Sequence, residues 1–195
     1  MREYALAIDP GMSTGLCLFS YGDEQDEPFR QERLWQFRGG AASIRKFLTY
    51  TDTRPIGGAL YMGIPPLGVP GSGTIRLSRL VVEKFTPRPH ETFSLTQDSV
   101  EPLRGEGVLI GLGLEEFIDW REPSQQYFMG GATLAEKKKR SREFLKLNGI
   151  YATGKTVGQP DADDAISAEL HAIAWLRKKR HMPTLVELFT PEKEA

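Results

Sequence analysis

Tyr4-Ala5-Leu6-Ala7-Ile8-Asp9-Pro10-Gly11-Met12-Ser13-Thr14-Gly15 reads as an apolar run, an aspartate, a turn and the opening of a second run. Residues 4–8 have the unbroken apolar character of a strand buried on both faces. Pro10-Gly11 turns the chain. Thr14 to Phe19 then starts a second strand-like run. Sites in open α/β sheets gather at the carboxyl ends of central strands, and Asp9 stands at such an end. A carboxylate there is costly to bury unless hydrogen bonds or a metal compensate it. Asp-Pro-Gly is also ordinary turn chemistry, in which the aspartate caps its own turn.

Outward from that stretch, residues 4–8, about 15–21 and about 29–37 read as three strands. The acidic segment Gly22 to Pro28 fits a solvated hairpin loop. Tightly joined strands are antiparallel, so the sheet is mixed and opens as a three-stranded meander. Gly39-Gly40 breaks the third strand, and Ala41 to Tyr50 has helical spacing through Ile44, Phe47 and Leu48. Residues 52–78, rich in Gly and Pro, read as a long flexible loop. Gly68 to Thr74 has glycines at phosphate-loop spacing. It lacks the lysine and the preceding strand, which excludes a nucleotide site there.

Leu80-Val81-Val82 is a buried-strand pattern with a second carboxylate, Glu83, at its end. Residues 95–120 suit a helix, and 125–129 a last short strand. Leu134 to Leu147 is a helix carrying Lys137, Lys138, Lys139, Arg140, Arg142 and Lys146. Any one of these suits a solvated face, but six basic residues in ten positions could neutralise several phosphates. A final buried helix starts at Asp161-Ala162-Asp163-Asp164. Helix capping and the macrodipole account for one or two of these acids. Asp161 and Asp164, three apart, share a face. His171 reads as a packed histidine, and Arg177-Lys178-Lys179-Arg180 suits the helix C-terminus. The tail after Pro183 reads as a loosely attached extension, giving one domain over 1–182 and an extension over 183–195.

With 195 residues, 39% hydrophobic and 26% charged, the chain has the composition of a soluble globular protein with a sizeable core. A net charge of -1 leaves nucleic-acid binding to the placement of the basic residues. The single cysteine, Cys17, excludes a disulfide framework and a cysteine-rich zinc site, and suits a reducing compartment. Asp9 interrupts the only apolar run near the N-terminus, so no signal peptide is expected. The apolar stretch Gly107 to Leu114 is too short to span a bilayer. A cytoplasmic protein is expected.

Four acids stand out: Asp9, Glu83, Asp161 and Asp164. Hard divalent cations take oxygen ligands, and Mg²⁺ shares its site with substrate phosphates. Two such ions about 4 Å apart clamp the attacking and leaving oxygens of a phosphodiester. Without cations the cluster would repel itself and raise at least one pKa.

Asp9 in A-I-D-P-G-M-S-T-G, three opening strands, a helix, V-V-E with Glu83, and D-A-D-D-A at the last helix come in a telling order. In that order the chain resembles the RuvC-like nucleases of the RNase H-like superfamily, the Holliday junction resolvases, in a divergent, bacteriophage-type form. The match covers roughly residues 4–50 and 80–180. It departs from the family in the long 52–78 segment and in offering Asp163 beside Asp161 as partner of Asp164. The resemblance implies a five-stranded mixed α/β sheet flanked by helices. It implies catalysis and metal binding by Asp9, Glu83, Asp161 and Asp164, with two Mg²⁺ or Mn²⁺ ions. It implies a homodimer that resolves four-way DNA junctions. The same fold would also suit a nuclease acting on RNA or on flap and branched DNA, or a junction-binding protein without catalysis.

Overall fold

The computed structural model describes residues 2–24, 27–64, 73–85, 97–150 and 163–190, apart from the side chains of 97–99 and 163. The described strands are β1 (Glu3–Asp9), β2 (Ser13–Tyr21), β3 (Arg30–Arg38), β4 (Arg54–Ile56), β5 (Ala59–Gly63), β6 (Thr74–Glu83) and β7 (Ile118–Arg121). The described α-helices are α1 (Gly40–Tyr50), α2 (Gln97–Gly111), α3 (Leu134–Leu147), α4 (Asp163–Lys178) and α5 (Met182–Phe189). They build a mixed α/β sheet in the order β3-β2-β1-β6-β5-β4, with β7 also on β6. The opening meander is antiparallel, while β1 and β7 run parallel to β6.

Seven strands replace the expected five, because residues 52–78 are not one loop. Arg54 to Ile56 pairs with Ala59 to Tyr61 across Gly57-Gly58. Both glycines have positive φ, 58° and 78°, as a two-residue turn between twisted strands requires. Pro55 is tolerated because β4 is an edge strand. β5 pairs antiparallel with the first half of β6, through Gly63↔Thr74, and β7 pairs with its second half. Most of the glycine-rich Gly68 to Thr74 stretch lies outside the described residues.

The expected helix over 95–120 is also corrected. α2 stops at Gly111, and Gly113 (φ 71°) closes it as Leu114 N–H donates back to the Leu109 carbonyl at 3.1 Å. The chain then re-enters the sheet as β7. Residues 125–129 are not a strand: Pro123–Gln126 is a 3-10 turn, with Pro123 in its first turn and reciprocal Glu122/Gln125 capping. The described part of the segment after Pro183, up to residue 190, is not loose. It forms α5, where Pro183, Thr184 and Leu188 are buried, and the Phe189 ring lies 5.1 Å from Phe144 and 5.6 Å from Phe128.

Side-chain parity builds two cores of different depth. On one face, Leu6, Ile8, Leu16, Leu18, Leu80 and Val82 pack on α1 and α2 through Ile44, Phe47, Leu48 and Leu109. On the other, Ala5, Ala7, Cys17 and Val81 face α4 through Ala165, Ala168 and Ala172. Small residues on both sides let α4 lie close against the strands. Gly15 continues the Cys17 parity and marks the closest approach. A Cβ there would stand 1.9 Å from the Asp164 carbonyl oxygen and 2.5 Å from the Ala165 nitrogen.

The turn after β1 is tied to α1, since Met12 O accepts from Gly39 N–H and Gly40 N–H at 2.9 and 3.0 Å. α1 has no capping side chain of its own. Glu101 of α2 takes that role by accepting from Ala41 N–H at 3.0 Å, with Arg104 on its other oxygen at 2.8 Å. These contacts, the backbone one first, hold the Glu101 carboxyl below its usual 4.5. A depressed carboxylate contributes stability above its unfolded pKa and loses it as pH falls through the folded value. Glu101→Ala is therefore expected to lower Tm by about 2–4 °C at pH 7, for a cap worth about 1 kcal/mol. The difference should shrink in thermal melts below the ordinary carboxylate range. An equal loss at pH 3 would contradict the capping role.

Candidate active site

The parity that gives the thin core also aims the carboxylates. Asp9 follows Ala5 and Ala7 on β1, and Glu83 follows Val81 on β6. Ile8 and Val82 are partners in the parallel register, so the two acids leave adjacent strands together on the α4 face. Asp164 stands in the first turn of α4, brought there by the close approach over Gly15. Asp9, Glu83 and Asp164 line one cleft of about 290 Å³. Gln126, Tyr127, Ser167, Lys138 and Arg142 share its walls.

The electrostatics are those of crowded negative charge. Burial first, then Glu83, raises the Asp9 carboxyl from 3.8 to about 8, against the lowering effects of His171 and a Ser167 hydrogen bond. Burial and then Asp164 raise Glu83 from 4.5 to about 7. His171, fully buried, is pushed down from 6.5 to about 4 by burial, with Asp9 pulling the other way and Arg121 adding to the fall. Burial thus favours its neutral form. Arg121, opposite Glu83 in the β6/β7 register, is a buried cation whose Nε has no described partner.

A hydrogen-bonded chain joins these groups. His171 Nε2 lies 2.5 Å from Glu83 Oε2. Gln126 Nε2 donates to the same oxygen at 3.4 Å and to the Pro123 carbonyl at 3.1 Å. Ser167 Oγ donates to Gln126 Oε1 at 2.5 Å, and Ser167 lines the same cleft as Asp9. His171 is packed, as the sequence implies, but against a candidate ligand. Asp164, Ser167 and His171 are spaced i, i+3, i+7, so one helical stripe carried the signal for two of the missed residues. Gln126, on an irregular segment, had none.

Of the basic residues on α3, Lys138 and Arg142, four apart, face the cleft. Lys139 instead lies 3.9 Å from Glu143 on an exposed part of the helix. Lys137, Arg140 and Lys146 do not line the cleft. Asp161 lies outside the described residues.

Among the described residues no group of three Asp, Glu, His or Cys side chains stands close enough to enclose an ion unaided. A hard cation needs less than that here. Mg²⁺ keeps several waters and takes one or two protein carboxylates, completing its shell with substrate phosphate. Three carboxylates with oxygen-only chemistry, mutually repelling and opening on one cleft, fit that demand. Among the described residues no helix is long and apolar enough to cross a membrane.

No family model and no curated protein matches the chain. Among solved structures it is similar to the Thermus thermophilus RuvC structure, with TM-score 0.46 and 14% identity over 92% of this chain and 97% of that one. It is also similar to T. thermophilus RuvC in complex with Holliday junction substrate, with TM-score 0.43 and 12% identity over 91% of this chain and 96% of that one.

Proposed function

We propose that this protein is a divalent-cation-dependent nuclease that hydrolyses phosphodiester bonds in branched DNA, the four-way junction above all. The observation that carries the nuclease reading is the meeting of Asp9, Glu83 and Asp164 in one cleft with Lys138 and Arg142. Junction selectivity rests on the order of the acids along the chain, which resembles that of the Holliday junction resolvases. In this reading Asp9, which feels the charge of both other acids, would hold two Mg²⁺ or Mn²⁺ ions together with Glu83 and Asp164, and Asp161 would assist them. When bound, the ions supply positive charge to the scissile phosphate and make water a stronger nucleophile.

The chain's own groups do the rest. Lys138 and Arg142 hold the DNA backbone at the cleft mouth, and the remaining α3 bases, Lys137, Lys139, Arg140 and Lys146, add longer-range attraction. Ser167 and Gln126 keep the acids in register. A homodimer would present two such clefts to the two strands to be cut.

The direct test incubates purified protein with a labelled four-way junction, linear duplex and RNA, each in Mg²⁺ and in EDTA. Paired nicks in the junction alone, abolished by EDTA, are expected. RNA or flap cutting would keep the site and change the substrate. Tight binding with no cutting of any substrate would reject the enzyme.

The basic face gives a separate expectation. Lys138→Ala/Arg142→Ala should weaken junction binding and flatten its dependence on salt by about 2 in log–log slope, about one per lost phosphate contact. Lys139→Ala should do much less, because that ammonium stands beside Glu143. Binding measured over a salt series by fluorescence anisotropy checks this; equal effects of the three substitutions would make the charge diffuse rather than placed.

A further inference from the structure

We propose that His171 is a positioning residue that fixes Glu83 for cation binding, working as one unit with Gln126 and Ser167. The inference rests on the cation-dependent reading above. Both described hydrogen bonds to Glu83 end on Oε2, which leaves Oε1 for the cleft that Glu83 lines. With Glu83 ionised, as a cation ligand must be, the imidazole faces a carboxylate through Nε2, so the proton belongs on Nε2. Nδ1 is then the bare nitrogen, and it is a buried atom with no hydrogen-bond partner. A bare acceptor without a partner costs less than a buried N–H without one. The tautomer is therefore set by the bond to Glu83.

The unit has no slack. Gln126 uses both amide protons, on Glu83 and on the Pro123 carbonyl, and its oxygen takes the Ser167 hydroxyl. One hydrogen-bonded chain therefore joins the end of β6, a 3-10 turn and α4, and it ends on the Glu83 carboxylate. Outer partners of this kind orient ligating side chains, and their loss costs metal affinity about 10–100-fold. His171 is fully buried, so it acts through Glu83 and meets no substrate.

The test titrates Mn²⁺ alone into the intact protein and follows the free-ion signal by electron paramagnetic resonance. Wild type is compared with His171→Leu, His171→Gln, Glu83→Gln and the Glu83→Gln/His171→Leu pair, and the ¹⁵N imidazole spectrum of the metal-free wild type is recorded at about pH 9, where Glu83 is ionised. His171→Leu should weaken Mn²⁺ binding about tenfold or more. His171→Gln, whose amide can still donate, should recover most of the loss. In the Glu83→Gln background His171→Leu should change nothing further, and the spectrum should show an Nε2-protonated ring. An Nδ1-protonated ring would overturn the proposal, as would unchanged affinity in His171→Leu or the same loss in both backgrounds. If His171→Leu does not fold, Gln126→Met at the end of the 3-10 turn carries the same comparison. A wild type that takes up no Mn²⁺ would instead reject the cation reading, and this role with it.

Discussion

Asp9→Asn is expected to abolish cleavage, keep junction binding and raise the melting temperature of the metal-free protein at pH 8. On the proposed reading, loss of a cation ligand removes several kcal/mol of charge stabilisation, about a thousandfold or more in rate. Binding survives because Lys138 and Arg142 are untouched. The stability effect follows from the direction of the pKa. The Asp9 carboxyl is raised from 3.8 to about 8, by burial first and Glu83 second. The folded protein thus holds this proton more tightly than the unfolded chain does. Its stabilising contribution is full below about pH 4 and is lost as pH rises through about 8. Asparagine does not titrate, so the variant escapes that loss. A gain on the order of 5 °C in EDTA at pH 8, vanishing near pH 4, is the expected pattern in thermal melts. Mg²⁺ should raise the melting temperature of wild type and not of the variant. Retained cleavage would remove Asp9 from the site; an unchanged melting temperature at pH 8 would mean that its charge is not crowded.

Gly15→Ala should be nearly as damaging while touching no charged group. The added methyl would fall 1.9 Å from the Asp164 carbonyl oxygen and 2.1 Å from its carbon. These are backbone atoms at the start of α4, so no rotamer change relieves them and the helix must move. Overpacking of this kind costs about 1–3 kcal/mol, a drop of roughly 2–12 °C for a chain of this size. The larger effect is on chemistry. Asp164 would be carried away from Asp9 and Glu83, and a displacement near 1 Å costs about a hundredfold. Cleavage, melting temperature and junction binding measured together separate the two effects. Full activity in a folded Gly15→Ala protein would show that α4 tolerates the shift and that Asp164 is not held by this contact.

Much of this arrangement is legible in the sequence, and for identifiable reasons. β1, β2, β3, α1 and α3 carry strong periodicity and sharp ends, such as Gly39-Gly40 and the Thr133/Glu136 capping box. Asp9 and Glu83 announce themselves as acids after unbroken apolar runs. The β4–β5 hairpin does not, because Gly57-Gly58 sits among so many glycines and prolines that a specific turn looks like generic loop. β7 is four residues long, and the apolar residues Leu112, Leu114 and Phe117 carry the pattern of α2 past its end at Gly111, so that end is hidden. The Glu83–His171 and Ser167–Gln126 bonds join residues far apart in sequence, and no local pattern encodes such a meeting. Asp161, prominent in the sequence, lies outside the described residues.

The parallel register of β1 on β6 also fixes when the cleft can come into being. The meander β1-β2-β3 closes short loops, whereas the β1–β6 pairing must first close a loop of most of a hundred residues, a slow and entropically costly step. Asp9 stands apart from Glu83 and Asp164 until that pairing and the docking of α4 are complete. A chain still emerging or partly folded therefore cannot bring Asp9, Glu83 and Asp164 together. Cations held by the finished cleft would act chiefly as a brake on unfolding, because their ligands have not yet met at the folding barrier.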